Sequence, residues 1–222
     1  MIFIKSLINA KDALLTGALN TVTVAFFATL IGTALGILFG FVLCYGNKYS
    51  KFPFRLYVDI VRGIPLLVTI FMIYYVLGFI LKDFGINLTS LASGIIALAV
   101  FSSAQVAELT RGALQSIPKG QTEAGKAIGL RFKEIFIFIL FPQAVVQIIP
   151  PWINTATEMI KGSTLVGLIG VFELLLTANQ LVATSGTALP YYMFIGLIYC
   201  LINTLIQYLG GLLEKKVSFQ KR

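Results

Sequence analysis

The sequence predicts an all-α membrane protein that crosses the bilayer about five times. Only 12% of the 222 residues are charged and 58% are hydrophobic, with a mean hydropathy of +0.91. A soluble domain carries about 25% charged residues, so this composition excludes an ordinary soluble protein. Long stretches without charge favour the same class, because a helix needs about 20 apolar residues to span a bilayer. The length allows one domain, residues 1–222, without an appended soluble catalytic domain.

The charge-free stretches place the helices along the chain. The expected spans are residues 13–45, 56–81, 88–113, 135–169 and 189–213. The apolar stretch 174–213 is too long for one span. Its first part is therefore expected to form a short surface helix and a loop before the last span.

The first span carries a ladder of small residues. Gly32, Gly36 and Gly40 recur at every fourth position. Such a ladder lets helix backbones approach closely, so we expect it to pack against another span. A path for a transported molecule is the alternative use of these glycines.

The fourth span contains several prolines. Pro142, Pro150 and Pro151 precede two charged residues, Glu158 and Lys161. Proline removes a backbone donor and bends or interrupts a helix. We therefore expect a broken helix over 135–169, which membranes tolerate only where protein or a cavity covers the freed backbone groups.

The connection between the third and fourth spans, residues 115–134, is strongly charged. Its charged cluster consists of Glu123, Lys126, Arg131, Lys133 and Glu134. Pro118 suits a helix start and Gly129 a left-handed helix end, which predicts a helix over 119–128. That helix is about 15 Å long at 1.5 Å per residue, too short to span. Its spacing is compatible with docking into a groove of another protein and equally with resting on lipid.

The same connection contains a partial match to a phosphate-binding loop. Residues 120–126 fit the first seven positions of G-x-x-x-x-G-K-[ST], but Ala127 replaces the hydroxyl residue that binds magnesium. A predicted membrane helix, not a strand, precedes this segment. The chain has no His and two Cys, Cys44 and Cys200, which excludes the usual zinc and Cys/His catalytic sites. We therefore expect no catalytic residue, no metal site and no nucleotide bound by this chain.

The basic residues predict the orientation in the membrane. Of the 17 Lys and Arg residues, 13 lie in the first, third and fifth connections. These are Lys48, Lys51, Arg55, Arg62, Arg111, Lys119, Lys126, Arg131, Lys133, Lys215, Lys216, Lys221 and Arg222. The other side holds Lys5, Lys11, Lys82 and Lys161. The positive-inside rule therefore places the N-terminus outside and the C-terminus in the cytoplasm, and it explains the net charge of +8 without a nucleic-acid partner.

Several segments together resemble one family. The pattern Glu123-Ala124-x-x-x-x-Gly129, followed after nine residues by Ile139-x-Phe141-Pro142, resembles the EAA loop of ABC importer permeases. The family usually has Ala where this chain has Gly125, and Leu where it has Phe141. Segments 59–67, 104–124 and 154–174 are similar to the polar amino acid permeases, most of all to the arginine/histidine type. The resemblance covers roughly residues 55–213, most of the chain.

This resemblance implies a type I ABC importer permease fold in the bacterial cytoplasmic membrane. It implies that Glu123, Ala124, Gly125, Lys126 and Gly129 couple the chain to a pair of cytoplasmic ATPase subunits. Those subunits would bind ATP and Mg, and this chain would bind no cofactor. The implied partners are a second permease subunit, in a homodimer or a heterodimer, and an external amino acid binding protein. A stand-alone secondary carrier or channel is the rival class, but five spans do not divide into the paired repeats of many carriers.

Charge inside the membrane points to the substrate. An acid at the bilayer centre costs roughly 2.5–3.5 kcal/mol on insertion scales, a cost usually tied to function. Asn154, Glu158 and Lys161 share one helix face at i, i+4 and i+7. One hypothesis is that Glu158 receives the cationic side chain of arginine, lysine or histidine, since a carboxylate can accept a bidentate guanidinium. The alternative is a structural Glu158–Lys161 ion pair, which would leave glutamine or glutamate as the substrate.

An amino acid also needs groups for its α-carboxylate and α-amine. The polar candidates are Thr69, Ser102, Ser103, Gln105, Ser163 and Thr164. Ser and Thr in membrane helices often bond their own backbone instead. Glu108 and Arg111, at i and i+3, are expected to form a structural or gating pair.

Overall fold

The structure is a computed structural model that describes residues 7–218. It contains five helices long and apolar enough to cross a membrane, as the sequence predicted. We number these spans 1 to 5: Lys11–Tyr45, Leu66–Asp83, Ser90–Ser116, Phe132–Ile169 and Leu189–Val217. The basic residues Lys5, Lys221 and Arg222, which entered the orientation argument, lie outside the described residues.

Three shorter helices connect the spans. The corner helix, Lys48–Gly63, follows span 1, and the loop helix, Lys119–Ala127, joins spans 3 and 4. The short helix Leu174–Ser185 precedes span 5, whose helix extends over Leu189–Ser218. The expected short helix and loop before the last span are therefore present.

The glycine ladder of span 1 packs against span 3. A Cβ atom on Gly32 would lie 2.6 Å from the Ser102 Cβ. A Cβ atom on Gly36 or Gly40 would lie 2.5 Å from the nearest side-chain atom of Val106 or Thr110, respectively. The expected packing role of the glycines is therefore confirmed, because any larger side chain would push the two helices apart.

The second span differs from the expected range 56–81. The corner helix ends at Gly63, and Ile64 is extended, with φ −98° and ψ 134°. The residue before a proline disfavours the α conformation because the proline ring clashes with it, and here Pro65 follows. Span 2 therefore begins at Leu66, and the preceding helix is a separate element.

The fourth span departs from α geometry in other places than its prolines. The α-helix Phe141–Gly162 continues through Pro150 and Pro151. Span 4 is instead π-helical at Phe136–Leu140 and 3₁₀-helical at Ser163–Ile169. Proline fixes φ near the helical value and removes one donor, so it can bend a helix without ending it.

Candidate functional site

Glu158 lies on an accessible face of span 4. The Gln105 side chain on span 3 donates a hydrogen bond from Nε2 to the Glu158 Oε2 atom at 3.1 Å. Within residues 7–218, no salt bridge joins Glu158 to Lys161 or to any other basic residue. The Glu158–Lys161 ion pair is therefore not formed, and no basic side chain among the described residues pairs with this carboxylate.

Asn154 and Lys161 lie on the same side of span 4 as Glu158. All three side chains are exposed, as their helical spacing predicted. The Thr157 hydroxyl donates to the backbone carbonyl of Asn154 at 2.8 Å, and the exposed Asn154 side chain is accessible from outside the helix. The structure thus brings the Gln105 carboxamide to the Glu158 carboxylate, and Asn154 lies one helical turn away on the same exposed face.

The hydroxyl candidates do not join this face. Ser103 is buried and donates to the Val100 carbonyl at 2.8 Å, and its oxygen lies 2.6 Å from the Tyr57 hydroxyl oxygen. Ser102 is buried against Gly32. Thr69, Ser163 and Thr164 donate to backbone carbonyls of residues 65, 160 and 161. Only Thr164 is half-exposed, so the other hydroxyls serve helix packing in this structure.

The expected pair Glu108–Arg111 is part of a larger ionic cluster. Arg111 Nε donates to Glu108 Oε2 at 3.0 Å within span 3. Arg55 of the corner helix reaches the same carboxylate oxygen at 3.3 Å and Asp59 at 3.7 Å. The cluster therefore fastens the corner helix to span 3.

The loop helix ends as its sequence predicted. Gly129 has a φ of +84°, a conformation that favours glycine. The N–H of Gly129 bonds the Lys126 carbonyl and the N–H of Leu130 bonds the Gly125 carbonyl, each at 3.0 Å. These two bonds form a Schellman motif, which satisfies the last carbonyls of the helix.

The loop helix has one inward and one outward face. Gly125 is its one buried residue, and a Cβ there would lie 2.8 Å from the Ile135 Cγ1 atom. Glu123, Ala124 and Lys126 are exposed, and Ile128 after the helix is 76% exposed. Gly125 therefore seats the helix on the start of span 4, whereas its exposed neighbours are accessible to a partner.

An aromatic cluster ties this loop to the end of span 1. The rings of Tyr45 and Phe132 have centroids 5.2 Å apart, and those of Phe41 and Phe136 are 4.9 Å apart. Edge-to-face pairs of this kind contribute about 0.5–1.5 kcal/mol beyond their buried area. The end of span 1 and the loop helix therefore lie at the same end of the molecule.

Glu173 is a buried carboxylate that sequence reasoning did not single out. It accepts hydrogen bonds from the N–H groups of Leu175 at 2.8 Å and Leu176 at 2.6 Å, and from the Tyr199 hydroxyl at 2.8 Å. It thereby caps the short helix Leu174–Ser185 and joins it to span 5. Burial raises the pKa of Glu173 above its usual value, although these donors oppose the shift. An acid directly before the apolar stretch at 174–176 was the signal for such a cap.

Known sequences establish the family. Residues 32–219 match the family described as "Binding-protein-dependent transport system inner membrane component". The chain is 28% identical over 209 residues to the glutamine transport system permease protein GlnP of Escherichia coli (strain K12), covering 94% of each chain. It is 34% identical over 215 residues to the octopine transport system permease protein OccM of Rhizobium radiobacter, covering 91% of this chain and 84% of the relative.

A solved structure points to the same class of protein as these similar sequences. The fold matches a crystal structure of an amino acid ABC transporter with histidines, with a TM-score of 0.84 and 29% identity. That match covers 95% of this chain and 97% of the other. This chain therefore has the fold of a known transporter. The five spans, the exposed loop helix and the accessible Glu158 carboxylate lie within that fold. The chain belongs to the family of binding-protein-dependent transport system inner membrane components, as a non-catalytic permease subunit of an ABC amino acid importer.

Proposed function

We propose that this subunit imports basic amino acids, with Glu158 receiving the cationic side chain of arginine, lysine or histidine. The observation that carries the proposal is the exposed Glu158 carboxylate, which has one amide partner and no salt bridge within the described residues. A carboxylate in a low-dielectric span gains most from an ionised, hydrogen-bonding partner. A guanidinium or ammonium group of the substrate supplies that partner.

Gln105 and Asn154 complete the proposed site. Gln105 orients the Glu158 carboxylate through its 3.1 Å hydrogen bond. Asn154, one turn away on the same face, offers both a donor and an acceptor to the polar end of an amino acid. Thr164, half-exposed near the end of span 4, donates its hydroxyl to the Lys161 carbonyl at 2.7 Å, and we keep it as a proposed further polar contact for the substrate.

Glutamine is the second candidate substrate. In this structure Glu158 already accepts a hydrogen bond from a side-chain carboxamide, that of Gln105, and a glutamine substrate carries the same group. One similar permease, GlnP of Escherichia coli (strain K12), is a glutamine transport protein. Substrate competition separates the two candidates.

Uptake by the intact transporter tests the proposal. The complex isolated through a tag on this chain is reconstituted into liposomes with ATP inside and its binding protein outside, and uptake of labelled arginine is measured. Unlabelled lysine, histidine, glutamine and glutamate serve as competitors. We expect Glu158→Gln to lower arginine transport efficiency about ten- to hundredfold, the value of a hydrogen bond to a charged group.

Glu214→Gln is the matched control, because Glu214 is an exposed carboxylate at the end of span 5. It is expected to transport arginine as the wild type does. Normal arginine uptake by Glu158→Gln would overturn the proposed site. Strong competition by glutamine and none by lysine or histidine would assign the site to the second candidate.

We further propose that the exposed face of the loop helix docks onto a cytoplasmic ATPase pair. Glu123 is exposed, and the neighbouring Ala124, Ala127 and Ile128 give this face an apolar character. An apolar patch with a charged rim suits a protein partner. ATP and Mg would be bound by that ATPase. The remaining proposed partners are a second permease subunit, in a homodimer or heterodimer, and an external binding protein that delivers the substrate.

A further inference from the structure

We propose that the corner between span 1 and the corner helix binds the phosphate headgroup of an anionic phospholipid. A cavity of about 410 Å³ lies at this corner. Its lining residues are Leu43, Gly46, Lys48, Lys51, Phe52 and Arg55. Three basic side chains and apolar neighbours in one cavity match a ligand with an anionic group next to a hydrocarbon chain.

The cavity lies where helix termini meet. Asn47 caps the corner helix by accepting from the Ser50 N–H at 2.8 Å, so the positive end of that helix faces the corner. Lys51 Nζ donates to the Cys44 carbonyl in the last turn of span 1 at 2.9 Å. This bond holds the Lys51 ammonium group across the corner, beside the first turn of the corner helix.

Two of the three basic side chains at the corner have no acidic partner within the described residues. Arg55 is shared between Glu108 and Asp59. Lys48 and Lys51 form no salt bridge within residues 7–218. The ammonium groups of Lys48 and Lys51 therefore have no paired anion within the described residues. A phosphate group is an anion that can pair with both.

An exposed apolar stripe indicates that the source of the phosphate is a lipid. Tyr49, Phe52, Leu56 and Ile60 follow helical spacing along the corner helix and are 88%, 68%, 48% and 49% exposed, respectively. The opposite face packs Val58 and Val61 into the protein. A helix with an outer apolar stripe and flanking lysines lies in the interface of a bilayer. Phe52 belongs both to this stripe and to the lining of the cavity.

The test measures lipid selectivity of the purified transporter in phosphatidylcholine nanodiscs. Spin-labelled phosphatidylglycerol or spin-labelled phosphatidylcholine is added, and the motionally restricted fraction gives the association constant. We expect the wild type to prefer phosphatidylglycerol. The double variant Lys48→Gln with Lys51→Gln should lower that preference about fivefold for each lysine removed.

Two further double variants sharpen the result. Lys48→Arg with Lys51→Arg keeps both charges and should keep the preference. Lys215→Gln with Lys216→Gln removes two exposed charges at the end of span 5 and should also keep it. If the Lys51 change prevents folding, Lys48→Gln alone carries the test with a smaller loss.

Three outcomes would overturn the proposal. The first is an unchanged preference in the Lys48/Lys51 glutamine variant. The second is an equal loss in the Lys215/Lys216 variant, which would show a general effect of net charge. The third is loss of the phosphatidylglycerol preference when inorganic phosphate is added at constant ionic strength, which would make this a site for free phosphate.

Discussion

At the scale of single residues, two carboxylates in this protein have opposite environments. Glu158 is exposed, and its one hydrogen-bond partner in the described part of the chain is the neutral Gln105 side chain. Glu173 is fully buried and is surrounded by three donors. Burial disfavours the charged form of an acid, and hydrogen bonds to the carboxylate oppose that effect. Glu158 is therefore free to meet a ligand, whereas Glu173 is committed to joining a helix end to span 5.

Removing the Glu173 side chain should destabilise the fold. Glu173→Ala leaves the Leu175 and Leu176 N–H groups and the Tyr199 hydroxyl without this acceptor. Each unsatisfied buried donor costs about 1–3 kcal/mol, so we expect the free energy of unfolding to fall by at least about 1 kcal/mol. Thermal unfolding in detergent checks this, and an unchanged melting temperature would contradict the capping role.

The stability of the wild type should also depend on pH through Glu173. Because the pKa of Glu173 is raised in the folded state, its contribution is fully present below the usual carboxyl pKa. That contribution is lost as pH rises through the raised pKa. The Glu173→Gln variant has no titrating group at this position. As the pH rises, the melting temperature of the wild type should therefore fall relative to that of Glu173→Gln. A constant difference would argue against a raised pKa.

At the scale of helices, close packing of spans 1 and 3 shapes the molecule. Their glycine contacts recur once per helical turn, and the ionic cluster of Arg55, Glu108 and Arg111 fastens the corner helix beside them. Helices in lipid associate through van der Waals contact and hydrogen bonds, since lipid tails are as apolar as the side chains. Close approach of these two backbones therefore adds van der Waals contact that holds spans 1 and 3 together.

A large residue in the glycine ladder should separate spans 1 and 3. A Cβ on Gly36 would lie 2.5 Å from the Val106 Cβ and 2.8 Å from the Ser103 carbonyl oxygen. Overpacking of this kind typically costs about 1–3 kcal/mol, so Gly36→Leu should lower the melting temperature. Gly196→Leu is the control, because no atom lies within 4 Å of a Cβ at that position. Equal melting temperatures of the two variants would contradict this account.

Coupling to the ATPase can be tested at the loop helix. If its exposed face docks onto the ATPase, Glu123→Lys reverses a charge at that interface, which costs several kcal/mol when like charges meet. ATP-driven uptake and copurification of the ATPase should then fall by roughly tenfold or more, while the subunit remains inserted in the membrane. Glu214→Lys makes the same charge change at the end of span 5 and should leave both unchanged. If the Glu123→Lys variant still takes up substrate normally and copurifies with the ATPase, the docking role proposed for the loop helix is wrong.

At the scale of the whole molecule, five candidate spans within the described residues predict that the two ends of this part of the chain lie on opposite sides of the membrane. The distribution of basic residues predicts which side is cytoplasmic. Lys82, between spans 2 and 3, and Lys216, at the end of span 5, are both exposed. They should lie on opposite sides.

Chemical labelling checks this orientation. In a background with Cys44→Ala and Cys200→Ala, we expect a membrane-impermeant maleimide to label Lys82→Cys in intact spheroplasts. Lys216→Cys should be labelled only after the membrane is permeabilised. The reverse pattern would invert the orientation and place the loop helix outside the cell.

The number of spans, the short loop helix with its glycine end and the packing use of the glycine ladder could all be predicted from the sequence. These are local properties, because a bilayer requires each span to be apolar along its own length and a left-handed cap requires a glycine at one position. The family followed from motifs that are contiguous in the chain.

Which polar residues meet could not be predicted from the sequence, because it depends on how separate helices pack. In the structure, Gln105 pairs with Glu158 across 53 positions, Ser103 is buried beside Tyr57, Gly125 faces Ile135 and Glu173 is enclosed beside Tyr199. Helical periodicity gives the face of a residue on its own helix but not the neighbour that covers that face. Burial and hydrogen-bond partners depend on how separate helices pack, and in this chain they distinguish an accessible carboxylate from a structural one.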